Sequence, residues 1–171
     1  SEAVLPAEYL PEVKAAVHNQ GQINNCATHA LTACLENELG GSLAFNWYYG
    51  NRRYSDHKGQ GTVERDLLKT AQKDGCLVWQ KYPYQEEMPS AMERFEAAAD
   101  PLLPEARNLN IGSYWALTGF DGVCQALVDG KFVQLGLQLF GTIRKVTKEN
   151  PMLEEPIIDK NGGIEDWLGG H

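Results

Sequence analysis

Residues 24–41 constrain this chain more than any other stretch. Asn24 or Asn25 can cap a helix, and Ala27, Ala30, Leu31, Ala33, Cys34 and Leu35 then recur at helical spacing until Gly40-Gly41 ends the run. This predicts a central buried helix. Cys26 falls at its first turn, and Gln20 stands six residues ahead of Cys26. A helix N-terminus offers unpaired N–H groups and a partial positive charge, which favour thiolate over thiol. A side-chain amide that curls back beside the sulfur can donate a hydrogen bond to an oxyanion formed there. The pattern points to Cys26 as a nucleophile and Gln20 as an oxyanion donor. The blander alternatives are an inert buried cysteine and a turn residue, since Gln-Gly also suits a turn.

The 171 residues suffice for one sizeable core or two small lobes. No apolar run approaches the length of a membrane span, so no membrane partner is expected. A net charge of −8 without a basic stripe argues against nucleic acid. Cys26, Cys34, Cys76 and Cys124 lie far apart, and none has zinc-ligand spacing. No metal and no cofactor is expected. With Cys26 reactive, three thiols remain, which suits reduced cysteines, and hence a reducing compartment or a bacterial or phage setting, better than a disulfide framework.

Further helices are predicted over residues 45–54, 63–74 (with Thr62 as cap), 90–99 and 121–127. Strands are predicted over 108–116 and 132–139, and residues 140–170 read as loop-rich. The picture is α+β, with a helical front half, a strand-bearing back half and a boundary between residues 100 and 108.

A nucleophilic cysteine needs a base, usually a histidine held by a third group. His29 shares the helix of Cys26, three residues on, and such a pair does not face a cleft between lobes. His18 and His57 read as solvated loop residues. His171 follows Leu168-Gly169-Gly170, where two glycines leave room for close approach of another element.

Asn19-Gln20-Gly21, a short gap, Cys26 and a small-residue helix resemble the nucleophile motif of papain-like cysteine peptidases, in particular their bacterial and phage-type branch. Residues 45–53 (Phe-Asn-Trp-Tyr-Tyr-Gly-Asn-Arg-Arg) resemble the family's second helix. Gly59-Gln60-Gly61-Thr62 resembles its glycine loop beside the substrate. Asp74-Gly75-Cys76 through Tyr82-Pro83-Tyr84 and the stretch from Val128 to Val133 resemble later segments, in the family's order. Leu168-Gly169-Gly170-His171 resembles the Gly-Gly-His that carries the family's catalytic histidine, 145 residues after Cys26.

The resemblance implies a papain-like two-lobe fold. Residues 1–104 would form a helical N-terminal lobe carrying the nucleophile helix. Residues 105–171 would form part of an antiparallel β-rich C-terminal lobe, incomplete after His171. It implies a cysteine endopeptidase acting on a peptide or protein substrate, with Cys26 and His171 as the thiolate–imidazolium pair. Gln20 and the Cys26 N–H would form the oxyanion hole, Gly61 would pair with substrate backbone, and Val63 would wall an apolar subsite. The family's first cysteine of the motif is Ile23 here, and the family's Asn-Ser-Trp segment, whose Asn orients the imidazole, has no counterpart within the chain. That leads to the expectation of a fragment, of a cleavage product with a second chain supplying the rest of the C-terminal lobe, or of a degenerate member. A catalytically inactive peptide- or protein-binding module and another thiol acyl-transfer enzyme are the alternative functions.

Overall fold

A computed structural model of the chain describes residues 5–21, 24–44, 47, 54, 62–82, 100–147, 149, 150 and 167–170. The chain folds as two compact units, Ser1–Gln134 and Leu135–His171.

The first unit is organised by helix α1, Cys26–Leu39, which starts and stops where its signals place it. Asn25 occupies the N-cap position. Its carbonyl accepts the N–H groups of Thr28 (3.0 Å) and His29 (3.1 Å), while its side chain makes no capping hydrogen bond. Gly40, at φ +77°, takes the left-handed turn that ends the helix, and its N–H reaches the Glu36 carbonyl. The buried face of α1 is part polar: Thr28, Thr32 and Glu36 recur every fourth residue beside Leu31 and Leu35. Each threonine hydroxyl donates to a carbonyl on or just before the helix, Thr28 to Asn25 and Thr32 to Thr28, both at 2.7 Å, so burial leaves neither unsatisfied.

Helix α2, Glu64–Lys73, packs against α1. Glu64 and Asp66 in its first turn and Lys73 in its last complement the helix dipole. The expected cap shifts by one residue. Val63, not Thr62, precedes the helix in extended conformation, and its carbonyl accepts the Asp66 and Leu67 N–H groups. Past Asp74 the backbone turns through Gly75, at φ +74°. The following segment joins the loop after α1 through an antiparallel bridge between Leu43 and Val78, with Ala44 N–H donating to the Leu77 carbonyl at 2.8 Å.

Leu31, Leu35, Leu43, Trp47, Leu67 and Leu77 form the heart of the core, and Leu103 and Ala106 of the short helix α3, Leu103–Ala106, close it. Trp47 meets Tyr82 edge-on at 5.7 Å and donates its indole N–H to the Gly75 carbonyl at 2.9 Å. Apart from Trp47 and Tyr54, the expected helix over 45–54 lies outside the described residues, as does that over 90–99.

The strand expected over 108–116 does not form. Leu109 and Ile111 are apolar because they pack on this helical core. Their backbone is spent on it too: the Leu109 carbonyl accepts Cys76 N–H, and Ile111 N–H reaches the Ala71 carbonyl. Helix α4, Gly119–Val128, covers the expected helix, and Gly130 at φ +74° ends it.

In the second unit, β1 (Gln138–Phe140) pairs antiparallel with β2 (Trp167–Gly170). Gln138 faces Gly170 and Leu139 faces Gly169, with an irregularity between Leu139 and Phe140. The strand foreseen over 132–139 is thus short and displaced toward its C-terminal end, because only the stretch opposite Trp167–Gly170 finds a hydrogen-bonding partner. Among the described residues the architecture is mixed, with substantial helix and little strand.

Candidate active site

Cys26 is the first residue of α1 and is partly exposed. Its place at the opening of a 14-residue helix, with no acidic residue in the first turn, leaves the positive end of the helix dipole beside the thiol. The first turn is tied down at two further points. Asn25 is buried, and the Gln134 amide donates to the Ala27 carbonyl at 3.1 Å.

Gln20 is half-buried and ends an arm without regular secondary structure, residues 5–20, that precedes the helix. The Asn19 side-chain oxygen accepts Gly21 N–H at 2.9 Å, and Gly21 sits at φ +61°. This closes a tight side-chain-capped turn around Gln20. The arm is tethered to the far end of α1: Lys14 and Ala15 N–H groups donate to Asn37 Oδ1 at 2.6 and 3.1 Å.

His18 is not the solvated loop residue its sequence context suggests. Its Nε2 lies 3.0 Å from Glu36 Oε2 and 3.2 Å from Oε1, and Glu36 is 2 % exposed. Glu36 Oε1 also accepts Leu43 N–H at 2.8 Å. One buried carboxylate therefore joins the arm, α1 and the loop after it. Sequence reading passed over Glu36. The clue was a carboxylate at helical spacing from Thr28 and Thr32 on a face that also carries Leu31 and Leu35. Gln134 was passed over as well, an amide set in the apolar run around Val133 and Leu135.

His29 sits on α1 with its pKa lowered to about 4, first by burial and second by the neighbouring His18. It is neutral at ordinary pH, and so lacks the charge that a thiolate's partner carries. Cys34, five residues further along the helix, is pushed up to about 11 by burial and by the Glu38 carboxylate, offset in part by a backbone hydrogen bond. It stays a thiol at ordinary pH.

Val63 stands 47 % exposed just ahead of α2. Gly61, His57 and His171 lie outside the described residues, His171 directly after β2. Among the described residues no group of three Asp, Glu, His or Cys side chains could hold a metal ion, and no helix is long and apolar enough to cross a membrane. A surface groove of about 340 Å³ lies between the arm (Tyr9, Glu12, Lys14), Asn37 and Glu38 of α1, and Lys131 and Phe132. It sits near the C-terminal end of α1, about 16 Å along the helix from Cys26.

No protein-family model and no curated protein matches the chain. Among solved structures, the crystal structure of xylellain, a cysteine protease from Xylella fastidiosa, matches with a TM-score of 0.74 at 22 % identity, over 98 % of this chain and 68 % of xylellain's. The chain shares the fold of a cysteine protease.

Proposed function

We propose that this chain is a papain-like cysteine peptidase that hydrolyses peptide bonds through Cys26. The observation that carries the reading is the partly exposed Cys26 at the first position of a long helix, in a chain that shares its fold with a cysteine protease. The Cys26 thiolate adds to the peptide carbonyl carbon, and the electron pair of the C=O moves to oxygen. That oxyanion accepts hydrogen bonds from the Cys26 backbone N–H and the Gln20 amide. His171, protonated, gives its proton to the departing amine as the C–N bond breaks. The neutral imidazole then takes a proton from water as the water attacks the thioester, and Cys26 is restored. In this reading the Gly61 backbone pairs with an extended substrate, and Val63, exposed ahead of α2, walls an apolar subsite.

The test is hydrolysis of a fluorogenic peptide library by the chain, its Cys26→Ala variant and its Gln20→Ala variant. Cys26→Ala abolishes turnover, and Gln20→Ala lowers kcat by about 10²–10³ with a much smaller change in KM. Residual cleavage by Cys26→Ala at the parent rate overturns the reading.

A further inference from the structure

We propose that Glu36 and His18 are positioning residues for the peptidase chemistry: the buried Glu36 carboxylate grips the His18 ring and so sets where Gln20 presents its amide to Cys26. The inference rests on the peptidase reading above.

The arm that carries Gln20 has little apolar anchorage in its middle. Leu10 is 93 % exposed and Val17 is fully exposed. Polar contacts with α1 do the holding, and their acceptors are consecutive residues of that helix, Glu36 and Asn37. Asn37 is itself fixed, its amide donating to the Ala33 carbonyl at 2.8 Å. Glu36 is fixed more firmly still, buried and bonded to Leu43 N–H as well as to His18.

From His18 to Gln20 the chain can span at most about 7 Å. Asn19 consumes much of the remaining freedom by closing the turn onto Gly21 N–H. A fixed His18 ring therefore fixes the turn, and the turn fixes the backbone from which the Gln20 side chain projects. Cys26 opens the same helix that carries Glu36. Nucleophile and oxyanion donor are thereby referenced to one rigid element, which is what precise placement of a preorganised donor requires. Neither His18 nor Glu36 needs to touch the substrate.

The experiment compares the parent with His18→Ala, His18→Gln, Gln20→Ala and the double variant His18→Ala/Gln20→Ala on a fluorogenic peptide amide, and follows backbone hydrogen exchange over residues 14–21 in each. His18→Ala lowers kcat about 10- to 100-fold with KM within about threefold, since a displaced donor is lost only to the transition state. His18→Gln, whose amide reaches Glu36, restores most of the rate. The double variant is no slower than Gln20→Ala alone, because His18 acts through Gln20. Exchange at residues 19–21 quickens in His18→Ala and not in His18→Gln. Multiplicative effects in the double variant, or an unchanged kcat in His18→Ala, overturn the proposal. A parent that cleaves no peptide sinks the peptidase reading instead. The exchange data then decide the latch alone: unchanged exchange at residues 19–21 in His18→Ala refutes it, and faster exchange sustains it.

Discussion

Gly75→Ala is the substitution whose cost the structure defines most sharply. The residue sits at φ +74°, where a side chain is strained by about 1–2 kcal/mol. An added Cβ would lie 2.0 Å from the Ala106 carbonyl oxygen, 2.7 Å from its carbon and 3.0 Å from the Leu109 oxygen. These are backbone atoms, so no side chain can swing aside. The Leu109 carbonyl already receives Cys76 N–H at 2.8 Å, and the Gly75 carbonyl holds the Trp47 indole, so any shift disturbs both bonds. Overpacking of this kind costs about 1–3 kcal/mol, for a combined loss of about 2–5 kcal/mol. Gly130→Ala is a matched control. Its φ is also +74°, yet nothing lies within 4 Å of the added carbon, so only the strain of about 1–2 kcal/mol applies. Urea denaturation followed by tryptophan fluorescence separates the cases. With a slope of about 2 kcal/mol/M, the Gly75 variant loses about 1–2.5 M in midpoint and the control about 0.5–1 M. Equal shifts in the two variants would refute the claim that close approach of the segment 106–109, rather than backbone conformation alone, demands glycine at position 75.

Trp47→Phe keeps an aromatic ring against Tyr82 but leaves the Gly75 carbonyl without its indole donor, and the urea midpoint should report a loss of about 1–3 kcal/mol. Iodoacetamide at pH 7 should modify Cys26 at least tenfold faster than Cys34, read by peptide mass mapping, because burial holds Cys34 at about 11 as an unreactive thiol; equal rates would contradict this, and Cys34 should speed up only as pH approaches 11. For His29, held down to about 4 when folded against about 6.5 when unfolded, the unfolded chain binds more protons between those values. Its contribution to stability is therefore intact above pH 6.5 and is lost as pH falls toward 4; His29→Gln should flatten the midpoint-versus-pH curve in that window, and an unaltered slope would count against the buried neutral imidazole.

What could be read from the sequence was what is decided locally. Helix α1 runs from Asn25 at its N-cap position to Gly40 at positive φ, and its apolar spacing lies wholly inside those limits. Helix α4, with Gly130 past its end, is the same case. The stretch 108–116 failed because alternation says only that successive residues face opposite environments. Leu109 and Ile111 turn to a helical core, and their backbone bonds to Cys76 and Ala71 rather than to a strand among the described residues. His18 failed for a related reason. A histidine in a polar loop looks solvated until its partner is known, and that partner stands 18 residues away on a helix. The position of Cys26 at the start of α1 was legible because the helix boundary is set locally; its role as nucleophile and that of Gln20 as oxyanion donor remain part of the proposal.

The buried polar face of α1 links these two kinds of information. A core-facing helix gains more stability from apolar residues than from a carboxylate, and an apolar pair in place of Glu36 and His18 would often cost nothing or even stabilise. An apolar pair, however, would leave the arm free to slide along α1, because hydrophobic contact is non-directional. A carboxylate that accepts from His18 on one side and Leu43 N–H on the other admits only one arrangement of arm, helix and following loop. The preceding Thr28 and Thr32 spend their hydroxyls on backbone carbonyls, so neither competes for that carboxyl group. On the proposed peptidase reading, in which Gln20 must present its amide to Cys26, direction at this point is worth some loss of stability. The Glu36 end of the polar stripe on α1 is thus the part of the core that fixes the arm and the following loop to the helix.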